Sequence, residues 1–322
     1  MLFELKYFYF CFYYIKSIMN RKILNRAVVF TFGATMLFSC GGDEAKEEDA
    51  GTNVSVGKDE KPEDKSDEVK VHKVEHRLPT PNQFFEFVKR VGGESREDLL
   101  NPIEKMPSYH TEVKKALNFG VYFADLAYMN NFEINANSYS YLKGLSGLAE
   151  NLNISKIFNE ELVAGMQANS ENADSMQIYS TKTYQSAYTY LEDNNKRGVL
   201  SYMLAGGWVE SMYIAIGIAG EYSEDNEMIQ QIADQNVVLE SIYEHMLESS
   251  QEDPEIMEMA MKLEELKGIF DANKTAEKTK ATKTENGKVT FGGGSDVVLD
   301  KEAFGTIVEK IAEIRSEIIT NE

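Results

Sequence analysis

From about residue 80 onward, apolar residues recur at intervals of three and four, the spacing of helices with one buried face. The prolines at 79 and 81 halt what precedes them, and Asn82 is the expected start of a helix through Gln83, Phe84, Phe85 and Val88. Thr111 is placed to cap a long helix carrying Val113, Ala116, Leu117, Gly120, Val121, Ala124 and Ala127. Further helices are predicted over 134–151, 157–168, 173–193, 197–219, 227–247, 254–270 and 301–319. The last sets Phe304, Ile307, Val308, Ile311, Ile314 and Ile318 on one stripe. Alternation of period two is confined to Val289-Thr290-Phe291 and Val297-Val298-Leu299. The predicted fold class is all-α, a multi-helix bundle over 81–322 with a mobile loop over 272–300.

The most apolar stretch of this body, 197–219, opens on Lys196-Arg197 and contains Glu210, which favours a central buried helix over a membrane span. Gly206, Gly207, Gly217 and Gly220 are expected to let helices approach closely, because glycine inside a helix costs ~1 kcal/mol and needs a packing reason. Shifted by 85 positions, Phe123-Ala124-Asp125-Leu126-Ala127-Tyr128 overlays Trp208-Val209-Glu210-Ser211-Met212-Tyr213. Two similar helical units packed with approximate two-fold symmetry would produce that echo.

The N-terminal region follows different rules. Asn20-Arg21-Lys22 precedes an apolar run of 12 residues, 27–38, too short for the about 20 needed to cross a bilayer. A cationic start, a short apolar run and a small residue before the break make 1–39 a secretory signal peptide. Residues 1–18 are aromatic-rich and broken by Lys6 and Lys16; we expect them to be an upstream extension, with Met19 the first residue of the precursor. Leu37-Phe38-Ser39-Cys40 resembles the lipobox of bacterial lipoproteins, with Phe38 bulkier than the usual residue there. The resemblance implies lipid on the Cys40 sulfur and cleavage before it; the alternative is an uncleaved signal anchor in which Cys40 is an ordinary small residue. Several acyl chains, at about 0.8 kcal/mol per buried methylene, give lasting attachment where one gives reversible binding. Residues 41–80 are rich in Asp, Glu, Lys, Gly and Ser and are expected to form a solvated, self-repelling tether. The acidic run from Asp43 to Asp49 looks like the surface-export signal of Bacteroidota lipoproteins; a generic acidic linker has the same composition.

Charge narrows the partners. The chain has 53 acidic and 33 basic residues, a net charge of −20. Loss of 1–39, with five basic and one acidic side chain, takes it to −24, which disfavours nucleic acid and anionic membrane surfaces. The two cysteines cannot build a disulfide framework, and Cys40 is the one thiol left after cleavage.

Candidate chemistry is sparse. The four histidines form neither His-Glu-x-x-His nor Glu-x-x-His, so neither the zinc-protease nor the carboxylate di-iron motif is present, and no cofactor or metal is expected. Gly144-Leu145-Ser146-Gly147-Leu148 lacks the spacing of a nucleophile elbow, and Gly292-Gly293-Gly294-Ser295-Asp296 lacks the lysine of a phosphate loop and reads as a turn. No enzymatic activity is expected. Asp125 and Glu210 stand out because an unpaired charge inside an apolar helix is expensive. Two roles fit them. They could line a ligand pocket with Tyr122, Tyr128, Trp208 and Tyr213, or each could pair with a Lys, an Arg or a Tyr hydroxyl and hold helices together.

Lys115-Ala116-Leu117-Asn118-Phe119-Gly120-Val121-Tyr122-Phe123-Ala124-Asp125-Leu126 and Leu204-Ala205-Gly206-Gly207-Trp208-Val209-Glu210 resemble an uncharacterised family of helical Bacteroidota lipoproteins, over roughly residues 78–320. The resemblance implies export and a helical fold, and no activity. The leading expectation is an outer-membrane, cell-envelope lipoprotein that binds or scaffolds, held to the membrane by its N-terminal lipid and meeting an envelope protein or extracellular ligand. The alternatives are a solute- or polymer-binding lipoprotein with an aromatic and carboxylate cleft, and a hydrolase using paired carboxylates.

Overall fold

A computed structural model describes residues 80–134, 137–170, 172–275 and 296–320. The signal peptide, Cys40 and the tether up to residue 79 lie outside the described residues, as do Val289-Thr290-Phe291, Gly292-Gly293-Gly294-Ser295 and the middle of the loop expected over 272–300.

The described residues form ten α-helices: α1 Pro81–Arg90, α2 Glu112–Asn131, α3 Ser138–Asn151, α4 Glu160–Ala168, α5 Ala173–Asp193, α6 Arg197–Ala219, α7 Glu227–Asp234, α8 Asn236–Ser249, α9 Ile256–Ala272 and α10 Lys301–Ile319. The architecture is all-α. Helices α2 and α6 form the central pair, and α1, α3, α5, α8 and α10 pack around it. Every residue of α2 from Ala116 to Asn131 is buried, and so is nearly all of α6 from Val199 to Ile216. A helix apolar on every side belongs inside, and α6 is such a helix: it is long and apolar enough to span a bilayer, yet 89% of its most apolar window is enclosed by protein.

The central pair touches backbone to backbone. A Cβ added to Gly120 would stand 2.7 Å from the Gly207 amide nitrogen and closer still to the Met203 carbonyl oxygen; one added to Gly206 would stand 2.8 Å from the Leu117 carbonyl carbon. The contact is locally reciprocal, Gly120 on Met203 and Gly206 on Leu117, at a spacing one residue longer than the 85 of the sequence echo. Gly217 similarly admits the Leu99 side chain. Gly220 differs from the expectation: nothing approaches it, and its φ of 66° ends α6 in a conformation disfavoured for other residues.

Several boundaries also differ. Thr80, not Asn82, caps α1, in a capping box with Gln83 and with Pro81 in the first turn. Thr111 caps α2 through the Lys114 amide. The helix expected from 134 begins at Ser138, because Glu133 takes a φ of 60° and the Ile134 amide turns back to the Met129 carbonyl. Residues 155–157 form a separate 3-10 turn, and Asn159 starts α4. The single helix expected over 227–247 is two, joined at Gln235, whose amide donates to the Ile232 carbonyl, three residues back. Pro254 precedes α9 rather than occupying its first turn. The flanks of the 272–300 segment are clasped: Lys274 and Val297 form an isolated antiparallel bridge, and the Val298 amide donates to the Asn273 carbonyl at 3.1 Å. Val297 and Leu299 are buried and Val298 is exposed.

Candidate functional site: a buried carboxyl pair and its arginine

Asp125 on α2 and Glu210 on α6 face each other across the central pair, both with zero exposure. Arg315 of α10 reaches into the same place and donates two hydrogen bonds of 2.7 Å to Glu210, Nε to Oε2 and a terminal nitrogen to Oε1. This is the fork geometry that makes arginine the usual partner of a buried carboxylate. The same terminal nitrogen donates to the Leu99 carbonyl at 3.0 Å, and the guanidinium lies 3.9 Å over the Tyr213 ring. Burial opposes the charge on Arg315, but its hydrogen bonds and attraction to Glu210 outweigh burial and raise its pKa.

Asp125 is in a different state. Its Oδ2 accepts from the Asn101 amide at 3.3 Å. Burial first, and the charge of Glu210 second, push the Asp125 carboxyl well above the usual carboxylate range, against the opposing pull of Arg315. The shift favours the neutral form of the Asp125 carboxyl. Its Oδ1 is buried without a hydrogen-bond partner.

Tyrosines tie this centre to the segment between α1 and α2. The Tyr141 hydroxyl donates to the Asn101 carbonyl at 2.8 Å and the Tyr122 hydroxyl to the Pro102 carbonyl at 2.9 Å, while the Asn101 side chain donates to the Tyr109 hydroxyl at 3.0 Å. Burial raises the pKa of all three phenols, which keeps them neutral and able to donate. Residues with zero exposure touch no water-sized space, so Asp125, Glu210 and Tyr122 line no open cavity. Chemically, the arrangement keeps an ion pair and a neighbouring carboxyl sealed from solvent and offers neither to a solute.

The six residues grouped in the sequence as a candidate pocket occupy three places. Tyr122, Asp125, Glu210 and Tyr213 belong to this centre. Tyr128 packs edge-on against Phe85, and its hydroxyl accepts from the Arg96 amide at 2.6 Å. Trp208 faces a small recess shared with Pro81, Phe84, Tyr184 and Gln235. Within it, the Trp208 indole nitrogen and the Gln235 amide nitrogen are buried without a hydrogen-bond partner. Neither a family model, nor a curated protein, nor a solved structure matches this chain.

Sequence reasoning passed over Arg315, although it stands four residues after Ile311 and seven after Val308, on the buried stripe of α10. A charge in phase with an apolar stripe was the available signal. It also passed over an amide cluster joining α1, α2 and α5. Asn82 and Asn130 donate to the Ser180 hydroxyl at 3.2 and 3.0 Å, and Gln177 donates to Asn131 at 3.3 Å. Asparagines carry no periodic signature, so nothing in the sequence pattern marked them as buried. Among the described residues, no group of three or more His, Cys, Asp or Glu is placed to hold a metal ion.

Proposed function

We propose that this chain is a lipid-anchored protein of the bacterial outer membrane whose helical body works through its surface, as a binding or scaffolding module. One observation carries the surface reading: Asp125 and Glu210, the interior groups best suited to chemistry or ligand binding, have zero exposure, and Glu210 is committed to Arg315. A hydrolytic carboxyl pair keeps room for a water or a sugar carbon between its members, and these two are sealed from solvent. The anchor is read from Leu37-Phe38-Ser39-Cys40, and the acidic tether after it supports display away from the bilayer. The resemblance to helical Bacteroidota lipoproteins agrees with both.

The test is fractionation of a diderm bacterium making the full chain or Cys40→Ser, with mass spectrometry of the mature N-terminal peptide. The expected result is acylated Cys40 in the outer membrane for the natural chain and a body released into soluble fractions for the variant. An unmodified Cys40 thiol in the natural chain, or retention of the variant after a high-salt wash, overturns the proposal.

A further inference from the structure

An open groove of about 680 Å³ runs between the turn Ser155–Ile157, the start of α4 and the outward face of α5. Ile157 and Leu162 supply its apolar part, and hydrogen-bonding side chains supply the rest.

The face that α5 turns to this groove is unlike the surface elsewhere. From Ser175 to Leu191 the only charged residue is Lys182, in a chain of which 27% is charged. Gln185, Ser186 and Thr189 are all exposed here, so amides and hydroxyls face water where a carboxylate-rich chain would be expected to place acids. Such groups give up water far more cheaply than carboxylates do, and each can both donate and accept. Across the groove, Asn159 is already held by its capping bond, Oδ1 accepting from the Leu162 amide at 2.8 Å, which leaves its own N–H groups to donate outward from a fixed position. Tyr190 adds an aromatic side chain.

Charge gives the groove a preference. Lys182 comes from α5 and Lys156 from the turn, and among the described residues neither has an ion-pair partner. One acid, Asp193, stands against them, so among the lining residues cations outnumber acids two to one on a protein of net −20, with Glu160 and Glu161 outside the lining in the first turn of α4. Neutral hydrogen-bonding groups, an aromatic side chain and two free cations suit a ligand rich in hydroxyls that also bears negative charge.

We propose that this groove binds an acidic oligosaccharide. Asn159, Gln185, Ser186 and Thr189 meet its hydroxyls, Tyr190 meets the apolar face of a sugar ring, and Lys156 and Lys182 meet its carboxylates. The inference deepens the reading of the body as a binding module. Saccharide affinity does not depend on the lipid, so failure here leaves the anchoring experiment standing, and failure of the anchor leaves this one standing.

The experiment is isothermal titration of the full chain, in detergent, with hexagalacturonate, with neutral maltohexaose and with hexaglutamate, which has carboxylates but no hydroxyls. Hexagalacturonate is expected to bind about tenfold more tightly than either control. Lys156→Gln and Lys182→Gln, both at exposed positions, are each expected to weaken it about threefold, and the double variant about tenfold, with unchanged thermal unfolding. No binding of hexagalacturonate up to about 5 mM overturns the proposal. So does maltohexaose or hexaglutamate binding as tightly as hexagalacturonate, or variants that bind as the natural chain does.

Discussion

Replacing Asp125 by Asn tests the assignment of the buried proton. Between the ordinary aspartate value of 3.8 and the raised value in the fold, the native protein holds one proton more than the unfolded chain. Across that window each pH unit removes about 1.4 kcal/mol of stability. The contribution is present in full below pH about 4, is lost as pH rises, and stops changing once the folded carboxyl ionises. Asparagine has the shape of the neutral acid, and its oxygen can accept from the Asn101 amide. It takes up no proton. Asp125→Asn should therefore lie close to the natural chain near pH 4 and gain on it by about 1.4 kcal/mol for each unit above, until the native aspartic acid ionises. Against a total stability of about 5–15 kcal/mol, a change of that size per pH unit is plain. Urea unfolding followed by helical circular dichroism, at pH values from about 4 to 7, measures it, and the pairwise comparison cancels the self-repulsion of an acidic chain. A difference between the two proteins that stays constant over that range would refute the argument, since it would mean that Asp125 ionises in the fold as it does in the unfolded chain.

Two other substitutions probe the same interior. Arg315→Ala leaves Glu210 buried without its cation and should cost about 3–5 kcal/mol in thermal or urea unfolding, far more than loss of the exposed Lys89–Glu133 pair. Gly120→Ala forces a methyl against the Met203 carbonyl and should cost about 1–3 kcal/mol or more, whereas Gly147→Ala, in α3 with nothing within 4 Å, should gain up to about 1 kcal/mol by the same measurement.

The helices and their order were legible because a buried stripe at helical spacing is written directly into residue types, and Thr111 announced its helix through a capping preference that depends on one side chain. Boundaries were lost where geometry left no trace in that spacing. The stripe of Ile229, Ile232, Leu239 and Ile242 runs past Gln235 without losing phase, so the turn there was invisible. Asp125 and Glu210 were visible as acids out of place in apolar helices. That one is a neutral acid and the other an arginine's partner depends on which helix arrives from elsewhere, information that resides in packing. The groove beside α5 was missed because uncharged polar residues on a helix face read as ordinary surface until the turn at 155–157 is seen standing opposite them.

The cation that settles the interior is encoded 105 residues after Glu210. A chain made, or threaded through a membrane, from its N-terminus presents α2 and α6 long before α10 exists. During that interval the two acids share no positive partner, and closing the central pair would bury a carboxylate with nothing to neutralise it. The bundle is thus built to finish late: α10 is the clasp, and proteolysis or an early stop that removes it takes away the charge that makes the core worth closing.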